Sequence, residues 1–226
     1  EYIEDLGEGG FGKVVLAKEK VSERQVAIKC LKLTRKYEQS NIIDEIQIIS
    51  QLNHPNIVTY YHNFMKDNCL HIVMEYCREG SLRNKISLKD KIEVNTVLEW
   101  IRDIASVMQI IHKKNIIHHD IKPDNILFSE NNVIKISDFG VANKLIGTKN
   151  YLAPEMFNYN ENTRKDARID VYALGVTLLE ILTKQNPFLG KKQNEIIKNH
   201  ETKDFKIDKL PQWVQELILK AINIIP

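Results

Sequence analysis

The sequence predicts an α+β fold, in which a small antiparallel β-rich part precedes a larger and mainly helical part. In residues 1–77 the apolar residues form short alternating runs, which is typical of antiparallel strands. After REGSL at 78–82 the apolar residues recur at helical spacing instead. This change places a boundary, a hinge rather than a linker, near Glu75–Gly80.

Four segments of the first part are predicted strands, namely EYIEDL, KVVLAKE, QVAIKCLKL and LHIVMEYC. Each is bounded by Gly, Asp, Asn or Ser, which favour turns. One helix interrupts them in SNIIDEIQIISQL, where the apolar residues at helical spacing are Ile42, Ile46, Ile49 and Leu52. Ser40 is a suitable N-cap for this helix, and Pro55 follows its end.

Three segments of the second part are predicted helices. EVNTVLEWIRDIASVMQIIHKKN is a long amphipathic helix, whose predicted apolar face consists of Val94, Leu98, Ile101, Ala105, Met108 and Ile111. Residues 168–183 are apolar almost all round, which indicates a buried central helix. PQWVQELILKAI opens with proline, a residue that favours the start of a helix.

Composition and charge narrow the class of protein. The net charge of +2 gives no field that would indicate binding to nucleic acid or to a membrane. The N-terminus lacks a secretory signal pattern, and the apolar run at 171–182 is shorter than the roughly 20 residues of a membrane span. Three cysteines without a CxxC pair (Cys30, Cys69 and Cys77) favour reduced thiols over disulfides or a zinc site. We therefore expect a cytoplasmic protein.

The first motif with chemical meaning is GEGGFGKV, in which Gly7, Gly9 and Gly12 lie between two predicted strands. Dinucleotide-binding versions of this motif lead from a strand into a helix, whereas KVVLAKE is a predicted strand. The motif therefore predicts a glycine-rich hairpin. Such a hairpin either lays backbone N–H groups against phosphates or forms a purely structural turn.

A lysine in the middle of a predicted strand is the second signal. Lys29 lies between apolar neighbours in VAIK, where a charged side chain is unfavourable unless it is paired. Glu45 is the candidate partner, because it falls on the apolar face of the helix that follows. The alternative is an ordinary solvated lysine.

The third signal combines IIHHDIKPDN at 116–125 with SDFG at 137–140. The two loops that flank the intervening predicted hairpin carry Asp120, Lys122, Asn125 and Asp138. A base, a cation and two oxygen ligands can therefore converge there. A small set of hard oxygen ligands suits Mg²⁺, which keeps several waters and bridges substrate phosphates. These residue types are those of phosphoryl transfer.

Together, GEGGFGKV, VAIK, HHDIKPDN, DFG and APE resemble the motifs of the eukaryotic-like Ser/Thr protein kinases, in the same order and at compatible spacing. The resemblance covers essentially the whole chain. It implies one bilobal kinase domain over 1–226, with an N-lobe at 1–77 that includes the hinge and a C-lobe at 78–226. It also implies transfer of the ATP γ-phosphoryl group, with Mg²⁺, to a Ser or Thr hydroxyl of a protein substrate.

The resemblance implies roles in binding the phosphates and the metal. The loop that covers the phosphates consists of Gly7, Gly9, Gly10, Phe11 and Gly12. Lys29 holds the α- and β-phosphates and pairs with Glu45. Asn125 and Asp138 bind the magnesium ions.

The catalytic roles follow from the same resemblance. Asp120 orients the attacking hydroxyl and accepts its proton. Lys122 is similar to the lysine that neutralises the transferred phosphoryl group in Ser/Thr kinases. Thr148 is similar to the residue that hydrogen-bonds the catalytic aspartate and this lysine. Asp170 resembles the aspartate that braces the backbone of the catalytic loop.

An adenine pocket is implied in the same way. Its apolar walls are Leu6, Val14, Ala27 and Leu127. Glu75 and Cys77 provide backbone hydrogen bonds, and Met74 is the gatekeeper. The stack of side chains that couples the two lobes in the family is matched by Ile49, Tyr60, His118 and Phe139, which makes His118 a core residue rather than a ligand.

Two departures from the family pattern bear on regulation. His119 replaces the arginine that usually precedes the catalytic aspartate, as in kinases of the non-RD type. A neutral histidine does not offer the two-pronged fork of an arginine to a phosphate. The stretch 141–152 is short, and its only hydroxyls belong to Thr148 and Tyr151. We therefore expect that activity does not depend on phosphorylation of this activation segment.

A third departure is the C-terminal end. The family usually continues to an arginine that pairs with the APE glutamate, here Glu155, and to one more helix. Either the C-lobe is incomplete, in a longer protein with room for further domains, or Glu155 has another partner, and we expect the first. We also expect Glu155 to be a buried carboxylate that lowers stability.

Two alternative functions stay open. A pseudokinase that binds nucleotide as a scaffold is consistent with His119 and the short activation segment, although every residue needed for the chemistry is present. A metallohydrolase that uses His118, His119 and Asp120 is disfavoured, because adjacent residues of an extended segment point to opposite faces and do not easily share one ion.

Overall fold

A computed structural model describes residues 1–9, 12–32, 46–88, 92–140, 142, 147–158, 166–202 and 205–222. The chain divides into two compact units. The first unit comprises Glu1–Gly80 and Leu127–Gly140, and the second comprises Ser81–Ile126 and Val141–Pro226. The sequence did not indicate that residues 127–140 return to the first unit, and the division into lobes after residue 77 stays a prediction.

The first unit is built on a five-stranded antiparallel sheet. Its strands are β1 (Tyr2–Gly9), β2 (Gly12–Lys18), β3 (Gln25–Lys32), β4 (Tyr60–Lys66) and β5 (Cys69–Glu75). They lie in the order β1-β2-β3-β5-β4. This sheet confirms the strand-rich first part of the predicted α+β fold.

The sequence did not predict β4. This strand lies at an edge of the sheet, and five of its seven residues are exposed. Its side chains therefore show no alternation between a buried and a solvated face, which is the signal that reveals a strand. β3 lies at the centre of the sheet and is buried on both faces, at Val26, Ala27, Lys29 and Leu31.

Two smaller elements accompany the sheet. β6 (Ile126–Phe128) and β7 (Ile134–Ile136) form a two-stranded sheet. Residues 46–50 are helical, within the predicted helix. The predicted N-cap of that helix, Ser40, lies outside the described residues.

Five helices are described in the second unit. They are α1 (Leu82–Ser87), α2 (Val94–Lys113), α3 (Arg168–Thr183), α4 (Gln193–Thr202) and α5 (Gln212–Ala221). Ser81 and Asn84 form a capping box at the start of α1. Pro211 immediately precedes α5, as the sequence predicted.

The buried face of α2 differs from the predicted face. Its buried residues are Val97, Ile104, Val107, Met108 and Ile111. Of the predicted set, Ala105 is exposed and Leu98 is only partly buried. Apolar residues occupy two adjacent stripes of this helix, so periodicity alone allows either face, and tertiary packing selects between them.

α3 is buried on nearly all sides, as its continuous apolar sequence predicted. Twelve of its sixteen residues are buried, among them the polar Asp170, Thr177 and Glu180. Gly175 allows α5 to approach closely, because a Cβ at this position would lie 2.7 Å from Cβ of Ala221. Among the described residues, no helix has both the length and the apolar character needed to cross a bilayer.

Candidate active site

The carboxylate of Asp120 is the centre of a dense hydrogen-bond network in the second unit. Its Oδ1 accepts hydrogen bonds from Thr148, from the backbone N at 3.0 Å and from Oγ1 at 2.7 Å. Its Oδ2 accepts from Nζ of Lys122 at 2.7 Å and from Nδ2 of Asn125 at 2.8 Å. Lys122 Nζ also donates to Thr148 Oγ1 at 2.6 Å. The structure therefore brings these four predicted residues together.

This network determines the protonation state of Asp120. Burial of the carboxyl raises its pKa, but the hydrogen bonds from Lys122 and Thr148 outweigh burial and hold the pKa below its ordinary value. Only 2% of the residue is exposed. An ionised carboxylate is thus maintained at neutral pH with protein donors in place of water.

A second buried carboxylate, on α3, holds the loop that carries Asp120. Asp170 accepts hydrogen bonds from the backbone N of His118 at 2.9 Å and of His119 at 2.8 Å. Nε2 of His112, on α2, lies 2.8 Å from Asp170 Oδ2. Burial of Asp170 raises its pKa, but His112, His118 and His119 together lower it below the ordinary value. These are the bracing contacts predicted for Asp170.

The two adjacent histidines are both buried. His118 is fully buried, and its Nδ1 accepts a hydrogen bond from the backbone N of Asp120 at 3.2 Å, which confirms a core residue. His119 is 3% exposed and has a φ of 65°, in the left-handed region that few residues other than glycine adopt. The hydrogen bond from its backbone to Asp170 stabilises this strained conformation.

A glycine lets the segment with Thr148 approach this loop. A Cβ at Gly147 would lie 2.5 Å from the carbonyl oxygen of His119 and 2.9 Å from Cδ2 of Leu152. Any larger residue would push the two segments apart. The hydrogen bonds between Thr148 and Asp120 thus depend on a glycine at the preceding position.

In the first unit, Lys29 forms an ion pair with Asp138. Lys29 Nζ lies 2.8 Å from Asp138 Oδ1, and Lys29 is 6% exposed. A buried ammonium needs such a partner. The expected partner Glu45 lies outside the described residues. Asp138 has a φ of 61°, so its backbone, like that of His119, is left-handed.

Strand pairing places the predicted nucleotide residues on one face of the sheet. Val14 is paired with Lys29, and Ala27 with Met74. Paired residues share a face, and so do residues two apart in one strand. These four side chains therefore lie on the same face. The other predicted adenine contacts also belong to the first unit, namely Leu6, Glu75, Cys77 and Leu127.

Comparison with known proteins decides the family. A model of the protein kinase domain matches residues 1–224. The chain belongs to the protein kinase domain family. It is 35% identical to an Aurora kinase of Saccharomyces cerevisiae, over 100% of this chain and 64% of that protein. It is 35% identical to the serine/threonine-protein kinase PrkC of Bacillus subtilis, over 98% of this chain and 37% of that protein.

A third relative of this kinase domain is the serine/threonine-protein kinase Nek4 of Mus musculus. The two are 34% identical over 87% of this chain and 26% of that protein. The chain thus spans between 26% and 64% of the length of these three relatives.

Glu75, in the predicted hinge of the kinase domain, binds two other residues through its carboxylate. The Glu75 carboxylate accepts hydrogen bonds from Thr59, from the backbone N at 3.1 Å and from Oγ1 at 2.9 Å. Nζ of Lys135, on β7, lies 2.9 Å from the same carboxylate. Cys77 is buried, and burial raises the pKa of its thiol to about 12, so the thiol stays protonated.

The glycine-rich hairpin of the kinase domain joins β1 to β2. Gly9 is paired with Gly12, while Gly10 and Phe11 lie outside the described residues. Gly12 has a φ of 117°, and a Cβ there would lie 2.3 Å from the carbonyl oxygen of Cys30. A Cβ at Gly7 would meet no atom within 4 Å. Gly12 is therefore required by the fold, whereas Gly7 has room beside it.

The oxygen donors of the kinase domain fit a magnesium ion by their chemistry. Within the described residues, no three His, Cys, Asp or Glu side chains are grouped to hold a metal ion. Asn125 is held in place, because its Nδ2 donates to both the backbone oxygen and Oδ2 of Asp120. Asn125, in the second unit, and Asp138, in the first, each offer a hard side-chain oxygen of the kind that Mg²⁺ prefers.

Three polar residues of these networks were not predicted, namely Arg83, His112 and Lys135. Lys135 lies between two isoleucines of β7, the same pattern of a charge amid apolar strand residues that revealed Lys29. His112 adjoins the buried residue Ile111 of α2. Arg83 carries no signal in the sequence, because its partners Asp124, Tyr151 and Glu180 are 41 to 97 residues away.

Proposed function

We propose that this domain is an active Ser/Thr protein kinase, which transfers the γ-phosphoryl group of ATP to a serine or threonine hydroxyl of a protein. The proposal rests on membership of the family and, above all, on one observation. Asp120 is buried and ionised, and both its oxygens are hydrogen bonded to Thr148, Lys122 and Asn125. A carboxylate fixed in this way is a proton acceptor of defined orientation.

The proposed reaction is one displacement at phosphorus. The oxygen of the substrate hydroxyl forms a bond to the γ-phosphorus, while the bond from that phosphorus to the β–γ bridging oxygen breaks. Asp120 accepts the hydroxyl proton, and ADP leaves with the bridging oxygen. Since the pKa of Asp120 is low, orientation of the hydroxyl is its larger contribution, and the proton moves late in the reaction.

Two lysines supply the positive charge in this proposal. Lys122, already bonded to Asp120, meets the negative charge on the transferred phosphoryl group. Lys29 binds the α- and β-phosphates, and its ion pair with Asp138 keeps its ammonium in a defined place. As the family resemblance implies, Asn125 and Asp138 would hold Mg²⁺, which would supply further positive charge against the phosphates.

Independence from phosphorylation of the activation segment is part of the proposal. The stretch 141–152 has only two hydroxyls. Thr148 Oγ1 donates to Asp120 and accepts from Lys122. The Tyr151 hydroxyl contacts Arg83 and Glu180, and Tyr151 is 5% exposed. Both hydroxyls are thus engaged inside the domain, where a phosphate would displace existing hydrogen bonds.

A phosphotransfer assay with ATP, Mg²⁺ and a generic protein substrate tests the proposal. Asp120→Asn should lower kcat by roughly 10²- to 10⁴-fold, the usual contribution of a general base. Asp138→Asn should abolish transfer in the same assay. The matched control is Asp208→Asn, an exposed aspartate, which should retain full activity.

Three results would each contradict the proposal or a part of it. Stabilisation of the wild-type chain by ATP without any transfer would favour the pseudokinase scaffold. Loss of activity after phosphatase treatment, with the lost phosphate mapped to 141–152, would disprove independence from activation-segment phosphorylation. An ATP-independent, zinc-dependent activity that survives Asp138→Ala would favour the metallohydrolase.

A further inference from the structure

One guanidinium joins three parts of the second unit. Arg83 lies in the first turn of α1. Its Nη2 donates to Oδ2 of Asp124 at 3.1 Å and to the hydroxyl of Tyr151 at 2.7 Å. Its Nη1 contacts Oε1 of Glu180. A single side chain thus binds two carboxylates and a phenol.

These three partners flank the Asp120 network on separate elements. Asp124 lies in the short helical turn Pro123–Asn125, next to the residue that donates to Asp120 Oδ2. Tyr151 ends the turn Lys149–Tyr151, and its backbone N donates to the carbonyl oxygen of Thr148 at 2.8 Å. Glu180 is 4% exposed on α3 and accepts a hydrogen bond from the Tyr151 hydroxyl.

The contacts require an arginine. Burial lowers the pKa of Arg83, but the hydrogen bonds to Glu180 and Asp124 outweigh burial and raise it, so the guanidinium is always charged. Its planar fork reaches three acceptors in different directions, whereas a lysine offers one compact charge. Without this cation, the buried carboxylate of Glu180 would lose its ion pair.

We propose that Arg83 is a positioning residue, which fixes the turn after Thr148 relative to the turn after Lys122. In this way it keeps the Thr148 hydroxyl and backbone N bonded to Asp120. The inference rests on the proposed kinase function for its effect on catalysis. The effect on the Thr148 hydrogen bonds is independent of that function, so the two can be tested separately.

The first test measures hydrogen exchange in Arg83→Met. Deuterium uptake at residues 147–152 should rise by at least about tenfold, because the backbone N of Thr148 loses its fixed acceptor. Uptake across β3, in the other unit, should not change. The matched control is Arg102→Met, since Arg102 is 74% exposed in its side chain and pairs only with its neighbour Asp103 among the described contacts.

The second test measures steady-state kinetics of the same variants. In Arg83→Met, kcat should fall between about 10- and 100-fold, the effect of a small misplacement of catalytic groups. The KM for ATP should stay within about twofold, since the proposed nucleotide residues belong to the other unit. Arg83→Lys should recover little of this loss. Tyr151→Phe should give a smaller loss that is not additive with Arg83→Met.

The inference would be overturned if the Arg83→Met variant unfolded at a lower temperature than wild type but kept wild-type kcat and wild-type hydrogen exchange at 147–152. If Arg83→Met fails to fold, the same criteria apply to Tyr151→Phe and Arg83→Lys. If the wild-type chain showed no phosphotransfer, the proposed kinase function would be disproved, but the proposed role of Arg83 would not. Exchange at 147–152 would then still decide the role of Arg83.

Discussion

The Asp120 network of the second unit and the glycine-rich hairpin of the first unit are built in opposite ways. In the second unit, the Asp120 carboxylate has donors on both oxygens, and the backbone beside it is bonded to the buried Asp170. In the first unit, the glycine-rich hairpin joins two strands at the edge of the sheet, and β1 is exposed along most of its length. The Asp120 network is thus formed in the absence of substrate, whereas β1 of the hairpin is exposed to solvent.

The difference follows from what each region is proposed to bind. A buried carboxylate is unstable unless the protein supplies its hydrogen bonds, so the Asp120 site must be complete before any substrate arrives. A phosphate-binding hairpin works through backbone N–H groups, which must remain accessible to the ligand. We therefore expect substitutions in the Asp120 network to change stability and kcat. We expect substitutions in the hairpin to change nucleotide binding, except at Gly12, where the close approach to Cys30 makes stability depend on the glycine as well.

The largest effect is expected from Asp170→Ala, which removes the acceptor that holds the catalytic loop. Without this carboxylate, the backbone N–H groups of His118 and His119 lose their acceptor. The free energy of unfolding should therefore fall by about 3–5 kcal/mol. Urea denaturation measures this change. Asp208→Ala, at an exposed position, is the control. A loss below about 1 kcal/mol would show that the loop does not depend on Asp170.

The next largest effect is expected in the hairpin, from Gly12→Ala. The new Cβ would collide with the carbonyl oxygen of Cys30 at 2.3 Å, and the φ of 117° is unfavourable for alanine. The free energy of unfolding should fall by about 1–3 kcal/mol. Gly7→Ala, where a Cβ has open space, should leave stability unchanged. Equal losses in both variants would mean that the close approach to Cys30 does not matter.

A smaller effect, on activity alone, is expected from Thr148→Val. The variant removes a hydroxyl hydrogen bond that lowers the pKa of Asp120, so this pKa should rise. The acid limb of the kcat–pH profile should move to higher pH, and kcat near neutrality should fall roughly tenfold. Thr148→Ser keeps the hydroxyl and should restore the wild-type profile. If the acid limb did not move, it would reflect the ionisation of a group other than Asp120.

The smallest effect is a gain in stability from Glu155→Gln. Burial raises the pKa of Glu155, and its Oε1 makes no hydrogen bond within the described part of the chain. Because the folded pKa lies above the unfolded value of 4.5, the charged form destabilises the fold at higher pH, and the difference vanishes below that value. We expect a gain of less than about 1 kcal/mol at pH 7, since solvent screens this half-buried group.

Thermal melts of Glu155→Gln and wild type at pH 7 and near pH 4 measure this difference. The two proteins should differ only at pH 7. Glu216→Gln, on α5, is an exposed control that should melt like wild type at both values. A destabilised Glu155→Gln at pH 7 would mean that the carboxylate has a stabilising partner.

Prediction from the sequence succeeded where the signal is local. Asp120, Lys122 and Asn125 lie within six positions, so one motif identified them, and the structure places them around one carboxylate. The continuous apolar run of α3 likewise predicted its burial. Prediction failed for β4, because an exposed edge strand shows no alternation of apolar and polar residues. It also failed for the buried face of α2, because a helix with two adjacent apolar stripes allows two buried faces.

The sequence by itself determined the motifs, four of the five strands of the sheet and three of the five helices described in the second unit, since each depends on neighbours a few residues apart. Folding alone selected the partners: Asp138 beside Lys29, His112 beside Asp170, and Arg83 between Asp124, Tyr151 and Glu180. The physical reason is distance along the chain. Hydrogen bonds that join residues tens of positions apart leave no periodic pattern, and packing decides which charges meet.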